Sequence, residues 1–261
     1  MSARRMARVV TVGVMAVLAG VTLLAQRGGG FGGGFGGGSR FTGLNPNVEY
    51  DGKFVFVRMS YAAGFGGRQG PPWSHDYPVG EAHFMRILTA VSNVPAHLDG
   101  SNVLPFDSPE IFKFPLIYLV EPGYWRMSDA DVANLRAYLL KGGFLVVDDF
   151  PGWAWPNFEE QMARVFPTLR WQDLTADHAM WHAFFEIPSL EMTTYYNLGG
   201  PPIFRALFEE NDPAKRMYVV ANYQNDVSEY WEFSESGIKP VDENNEAYKF
   251  GVNEFMYGIT H

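Results

Sequence analysis

The 261-residue chain has no cysteine. A disulfide framework, a lipid-modified cysteine anchor and a thiol nucleophile are therefore all excluded. Positive charge is scarce, with 20 Lys and Arg against 29 Asp and Glu, a formal net charge of −9. If residues 1–25 are removed, Arg4, Arg5 and Arg8 go with them, and −9 less three positive charges is −12. Such an acidic chain has no electrostatic footprint for nucleic acid or anionic lipid.

The three arginines precede an apolar run from Val9 to Ala25, interrupted only by Thr and Gly, which is the pattern of an export segment. Residues 1–26 read as a signal peptide cleaved after Ala25 or, because Leu23 fits the small-x-small rule poorly, as an uncleaved N-terminal membrane anchor. The expected location is exported: periplasmic, or anchored at the outer face of the inner membrane, with membrane contact only through this segment. The tract from Arg27 to Ser39 is almost entirely glycine and phenylalanine and buries too little surface to order itself, so residues 27–46 read as a linker. No strand precedes this tract and no helix follows it, so it is not a phosphate cradle. The remainder, 47–261, is sized for one α/β domain with one core.

Three short apolar runs, Phe54–Val57, Leu116–Val120 and Phe144–Val147, lack polar alternation and read as strands buried on both faces of a parallel sheet. Met217–Ala221 reads as a fourth strand; Val94–Leu98 and Leu190–Tyr196 are further candidates. Helical spacing links Phe84, Ile87, Leu88 and Val91, then Val132, Leu135 and Leu139, then Phe158, Met162 and Val165, and finally Tyr248, Val252, Phe255 and Ile259. Ser128 with Asp131 and Asn157 with Glu160 predict helix starts, and Lys141-Gly142 predicts a helix end. The alternation predicts a doubly wound, mostly parallel sheet with helices on both faces.

In such sheets ligands bind beyond the carboxyl ends of the strands, which directs attention to specific residues. Asp148 and Asp149 leave the central strand, and Glu121 leaves its neighbour. Asn222 and Asp226 follow the last strand, and His75-Asp76 sits in a Gly/Pro-rich loop. Adjacent strand residues point to opposite sides, so only one of Asp148 and Asp149 is expected to face a cleft; either also suits a turn cap. His75, Asp76 and Asp149 are the catalytic candidates, as base, orienter or metal ligand. Trp153 and Trp155 are candidate platforms for a flat or sugar-like ligand, with core packing as the alternative. His178 and His182 have i, i+4 metal-ligand spacing, but Ala179 stands where a zinc-protease helix has its glutamate.

The segments Trp73-Ser74-His75-Asp76-Tyr77-Pro78, Gly142-Gly143-Phe144 through Asp148-Asp149, Phe166-Pro167, Asp177-His178 and Gly251-Val252-Asn253 occur in an order that resembles a bacterial family, domain of unknown function 4159. That family is grouped with class I glutamine-amidotransferase-like folds. The resemblance implies a flavodoxin-like sheet and puts Asp148-Asp149 where amidotransferases carry a cysteine elbow. With no cysteine, cysteine-dependent amidotransfer is excluded, and fold kinship supplies no activity.

Three readings follow. The first is an exported α/β domain that binds a small polar, saccharide-like ligand or a protein partner at the strand ends without turnover. The others are a membrane-tethered interaction module and a metal-assisted hydrolase using His75, Asp76, Asp149 and His178 around a bound water. No cofactor is identified beyond a divalent metal in that last reading.

Overall fold

The computed structural model describes residues 43–63, 70–98 and 100–261. The expected export segment, the glycine-rich tract and the loop around Gly64, Gly66 and Gly67 lie outside the described residues. No helix among the described residues is long and apolar enough to cross a membrane. Irregular, exposed backbone at 43–46 gives way at Asn47, whose side chain accepts from Val103 N at 2.8 Å and donates to its carbonyl at 3.2 Å.

Seven strands form one sheet: β1 (Val57–Ser60), β2 (Asn102–Pro105), β3 (Leu116–Val120), β4 (Phe144–Phe150), β5 (Gln172–Asp173), β6 (Ile203–Phe208) and β7 (Met217–Tyr223), in the order β2-β1-β3-β4-β7-β6-β5. The pairings from β2 through β7 are parallel, while β6 and β5 continue antiparallel. The fold is α/β with a mostly parallel sheet. Among the described residues, five α-helices cover it: α1 (Val79–Val91), α2 (Asp129–Leu140), α3 (Trp155–Val165), α4 (Val227–Glu232) and α5 (Val241–Thr260).

Both faces are buried, which is why the central strands show no polar alternation. Leu116, Tyr118, Val120, Phe144 and Val146 face a core shared with α1, α4 and α5. Ile117, Leu119, Leu145 and Val147 face a second core with α2 and α3. Helix α2 starts at the expected capping box: Asp131 N donates to Ser128 Oγ (3.2 Å) and Ser128 N to Asp131 Oδ2 (2.8 Å). It stops at Gly142, whose φ of 116° suits glycine.

Several expectations are corrected. The first strand starts three residues later than Phe54, which makes only an isolated bridge to Ala96. Residues 190–196 are irregular, their apolar character explained by Leu190, Met192 and Tyr195 lying on the first core. The strand that pairs beside β7 is β6, disguised by Arg205, whose guanidinium lies 4.3 Å from the Trp155 ring centre and 4.6 Å from that of Tyr223. Asn157 does not cap α3, which starts at Trp155; its amide donates to the carbonyls of Pro122 (2.7 Å) and Trp125 (2.9 Å), closing the loop after β3.

Helix α5 approaches the sheet at Gly258 and the helices α1 and α4 at Gly251, because glycines lie at its contact points. A Cβ at Gly251 would fall 2.3 Å from Trp231 Cζ2 and 2.9 Å from Phe84 Cε2, in a pair of rings stacked at 4.3 Å. Helix propensity alone would favour alanine there by about 1 kcal/mol, whereas overpacking typically costs about 1–3 kcal/mol. Gly251→Ala is therefore expected to lower stability in urea unfolding. An unchanged or raised midpoint would show that the helix can withdraw freely.

Candidate functional site

The carboxyl ends of β1, β3, β4 and β7 bring together most of the chemistry-bearing residues. A β-bulge between Val147 and Phe150 breaks the pairing with β7, so the two aspartates are not related by simple strand alternation. Asp148 is fully buried, and its carboxylate accepts from Tyr118 Oη (2.7 Å), Asn222 Nδ2 (3.1 Å), Val227 N (3.0 Å) and Ser228 N (2.9 Å). It thereby receives the free amides of the first turn of α4, where a carboxylate is favoured. Asp148 and Asn222 are thus committed to holding β3, β4, β7 and α4 together.

Asp149 has a left-handed backbone, φ 50°, and emerges at the edge instead. Its carboxylate is 3.8 Å from His75 Nδ1, and Glu121 Oε1 is 2.9 Å from the same nitrogen. Asp76 (φ 63°), Glu121 (φ 53°) and Gln224 (φ 57°) are left-handed too. Each such non-glycine residue carries strain of about 1–3 kcal/mol, and strain of this kind concentrates at functional sites. Four of these residues sit at the ends of adjacent connections, where they turn side chains back over the strand ends.

The loop carrying His75 and Asp76 is fixed from below. Arg58 of β1, fully buried, donates Nε to Glu81 Oε1 at 2.5 Å and NH1 to the carbonyls of Trp73 (3.2 Å) and His75 (2.8 Å). Asp76 accepts from Ser228 Oγ at 2.6 Å. Asp226 caps α4 by accepting from Glu229 N at 3.1 Å, and Glu229 accepts from Tyr196 Oη at 2.6 Å. Tyr61 donates to the Glu121 carbonyl at 2.6 Å.

This much negative charge in a buried edge keeps its protons. Burial lifts the Asp149 carboxyl to about 7, against the pull of His75, and burial followed by the charge on Asp76 lifts Glu229 to about 9. Asp226 is pushed well above the usual carboxylate range by burial and then by Asp149. His75 is raised to about 10 by Asp149 and Glu121 together; the shorter contact, and the real hydrogen bond, is to Glu121. At neutral pH the site is therefore a mixture of protonated carboxyls, bare carboxylates and one imidazolium.

One wall is aromatic. Trp153 is 58% exposed and meets Tyr124 edge to face at 5.3 Å. Its ring lies over Gly123, where a Cβ would be 2.7 Å away. Tyr124 is near enough to Glu121 and Asp149 for their charges, after burial, to raise its hydroxyl. Trp155 is not part of this wall. It packs on Phe150, Trp171 and Tyr223 inside the second core.

The histidine pair is elsewhere and is no pair. His178 and His182 flank a single 3-10 turn, not an α-helix, so i, i+4 spacing does not align them. His178 accepts from Met180 N at 3.2 Å and packs on Phe208 and Tyr257, beyond the opposite, amino-terminal edge of the parallel strands. His182 is 2.6 Å from Glu186. A shared metal with His75 is ruled out by that separation. Tyr118, Tyr124, Tyr196 and the Arg58–Glu81 pair also line or support the site and carry no local motif; the one signal in the residues is a lone arginine inside the apolar run Phe54 to Met59.

The family model described as Domain of unknown function (DUF4159) matches residues 54–259. The chain belongs to this family. No curated protein matches it. The DUF4159 match spans every strand and helix that builds the site, from β1 to α5.

The His75 pKa fixes the sign of one pH effect. A raised folded pKa gives stability that is complete below 6.5 and lost as pH rises towards 10. Because the imidazole is about a third exposed, screening reduces the effect to about 1–2 kcal/mol. Unfolding measured across this window should show wild-type stability falling more steeply than that of His75→Gln; parallel curves would mean the imidazolium is not held by these carboxylates.

Proposed function

We propose that this chain is an exported domain that binds a small polyhydroxylated, saccharide-like ligand at the carboxyl edge of its sheet, without turnover. The observation that carries this reading is the exposed Trp153 ring, set through Tyr124 beside the His75–Glu121–Asp149 group. A sugar presents hydroxyls that both donate and accept, together with an apolar face. Carboxyls that hold protons beside carboxylates that do not supply both hydrogen-bonding roles, and an open indole supplies the platform.

The strand order supports a flavodoxin-like arrangement, with the reversal of order between β1 and β3. Tyr61 and Glu121 flank that reversal, which favours ligand entry there. Nothing in the acid group requires a nucleophile, consistent with the absence of cysteine. A protein partner bearing the same chemistry, reached by a tethered domain, would use the same edge.

A divalent cation is the second reading. Ligand atoms of His75, Glu121 and Asp149 lie within 4.8 Å of one another, as do those of Asp76, Asp149 and Asp226. Oxygen-rich donors of this kind suit magnesium, calcium or manganese. Metal-assisted hydrolysis would need this cation first.

The test is calorimetric titration with glucose, N-acetylglucosamine and their β-linked disaccharides, and separately with Mn2+ and Ca2+. Saccharide binding should weaken about tenfold or more in Trp153→Ala, the loss of an aromatic platform, and in Asp149→Asn. Cation binding lost in Asp149→Asn but untouched by Trp153→Ala would establish the second reading instead. Heat from neither series would overturn both.

A further inference from the structure

Tyr196 stands on irregular chain, 43% exposed, with its hydroxyl on Glu229 Oε1 at 2.6 Å. A half-exposed ring whose polar end is already satisfied is held in place without being covered. The segment around it is fixed on both sides. Tyr230 Oη donates to the Thr193 carbonyl at 2.8 Å, and Tyr195 packs edge to face on Tyr230 at 5.1 Å. Two residues beyond Tyr196, the Leu198 carbonyl accepts from Gly152 N at 2.8 Å, in the turn that carries Trp153. Two residues of extended chain span at most about 7 Å, so Tyr196 and Trp153 stand on one rim.

Polar groups run unbroken between the two rings. Glu229 and Asp76 bring carboxylate oxygens within 4.8 Å of each other, as do Asp76 and Asp149. His75 then links Asp149 to Glu121, beside Tyr124 and Trp153. We propose that Tyr196 is a second ring platform of the strand-end site, so that its ligand is an oligosaccharide of two or more units reaching from Trp153 to Tyr196. This rests on the saccharide reading of that site and adds the length of the ligand to it. One sugar ring on Trp153 reaches the His75–Glu121–Asp149 group beside it and leaves Tyr196, at the far end of the row, uncovered. A second linked unit covers that ring, and because the segment is already fixed, little ordering opposes its binding.

Calorimetric titration compares N-acetylglucosamine with its β-linked dimer, and glucose with its β-linked dimer, on the full chain and on Tyr196→Ala and Tyr196→Phe. In at least one series the dimer should bind the wild type about tenfold more tightly than the monomer, through the added aromatic contact. Tyr196→Ala should bring that ratio close to one. Tyr196→Phe, which keeps the ring and loses the bond to Glu229, should retain most of it. Equal binding of monomer and dimer to the wild type, or a ratio that survives Tyr196→Ala, would overturn the second platform while leaving the reading at Trp153 intact. A ratio lost equally in Tyr196→Phe would assign the effect to the hydroxyl and overturn the platform as well. Absence of heat with every saccharide would remove the underlying reading and this inference together.

Discussion

The carboxylate of Asp148 gathers four donors from three different elements: a hydroxyl on β3, an amide side chain on β7 and two backbone amides at the start of α4. Without it, the first turn of α4 would end against the sheet with its N–H groups unmet. Those contacts also fix where α4 places Asp226, Ser228 and Glu229. Ser228 in turn holds Asp76 through its hydroxyl. The edge of the sheet is thus assembled around a buried carboxyl group that never reaches solvent.

Asp149 follows from that commitment. With Asp148 turned inward to α4 and a bulge in the strand, the next residue takes a left-handed backbone and stands at the edge beside Glu121 and His75. The neighbouring carboxyls are too close and too buried to ionise together, so burial and mutual repulsion keep protons on several of them. The imidazolium of His75 offsets part of the remaining charge. Arg58 cannot do so directly, because its guanidinium is taken by Glu81 and by the carbonyls that shape the His75 loop.

Much of this was legible in the residues. The runs at Leu116–Val120 and Phe144–Val147, the Ser128 capping box and the glycine stop at Gly142 each follow a local rule, and each is found as read. The apolar stripe beginning at Phe84 is found through Leu88, with Met85 buried beside it, but Val91 at the helix end is exposed. What escaped depends on distant partners. Strand β6 carries an arginine because two aromatic rings from elsewhere cover it. The short helix α4 is too brief to show a period and is stabilised by Asp148, about eighty residues earlier in the chain. For the site, the strand-end rule brought His75, Asp76, Glu121, Asp149 and Asp226 to one edge. It could not say that Asp148 and Asn222 would be consumed by packing, that Trp155 would be core, or that His178 would lie at the far edge.

The assignment of opposite tasks to two adjacent aspartates is tested most directly by urea unfolding of Asp148→Asn and Asp149→Asn at about pH 8, where burial makes the charge on Asp149 unfavourable. Asp148→Asn should lose about 1–3 kcal/mol, because an amide nitrogen would face donors that need an acceptor. Asp149→Asn should be as stable as the wild type or more so. Equal losses in the two variants, or a larger loss in Asp149→Asn, would contradict this division and with it the placement of the site.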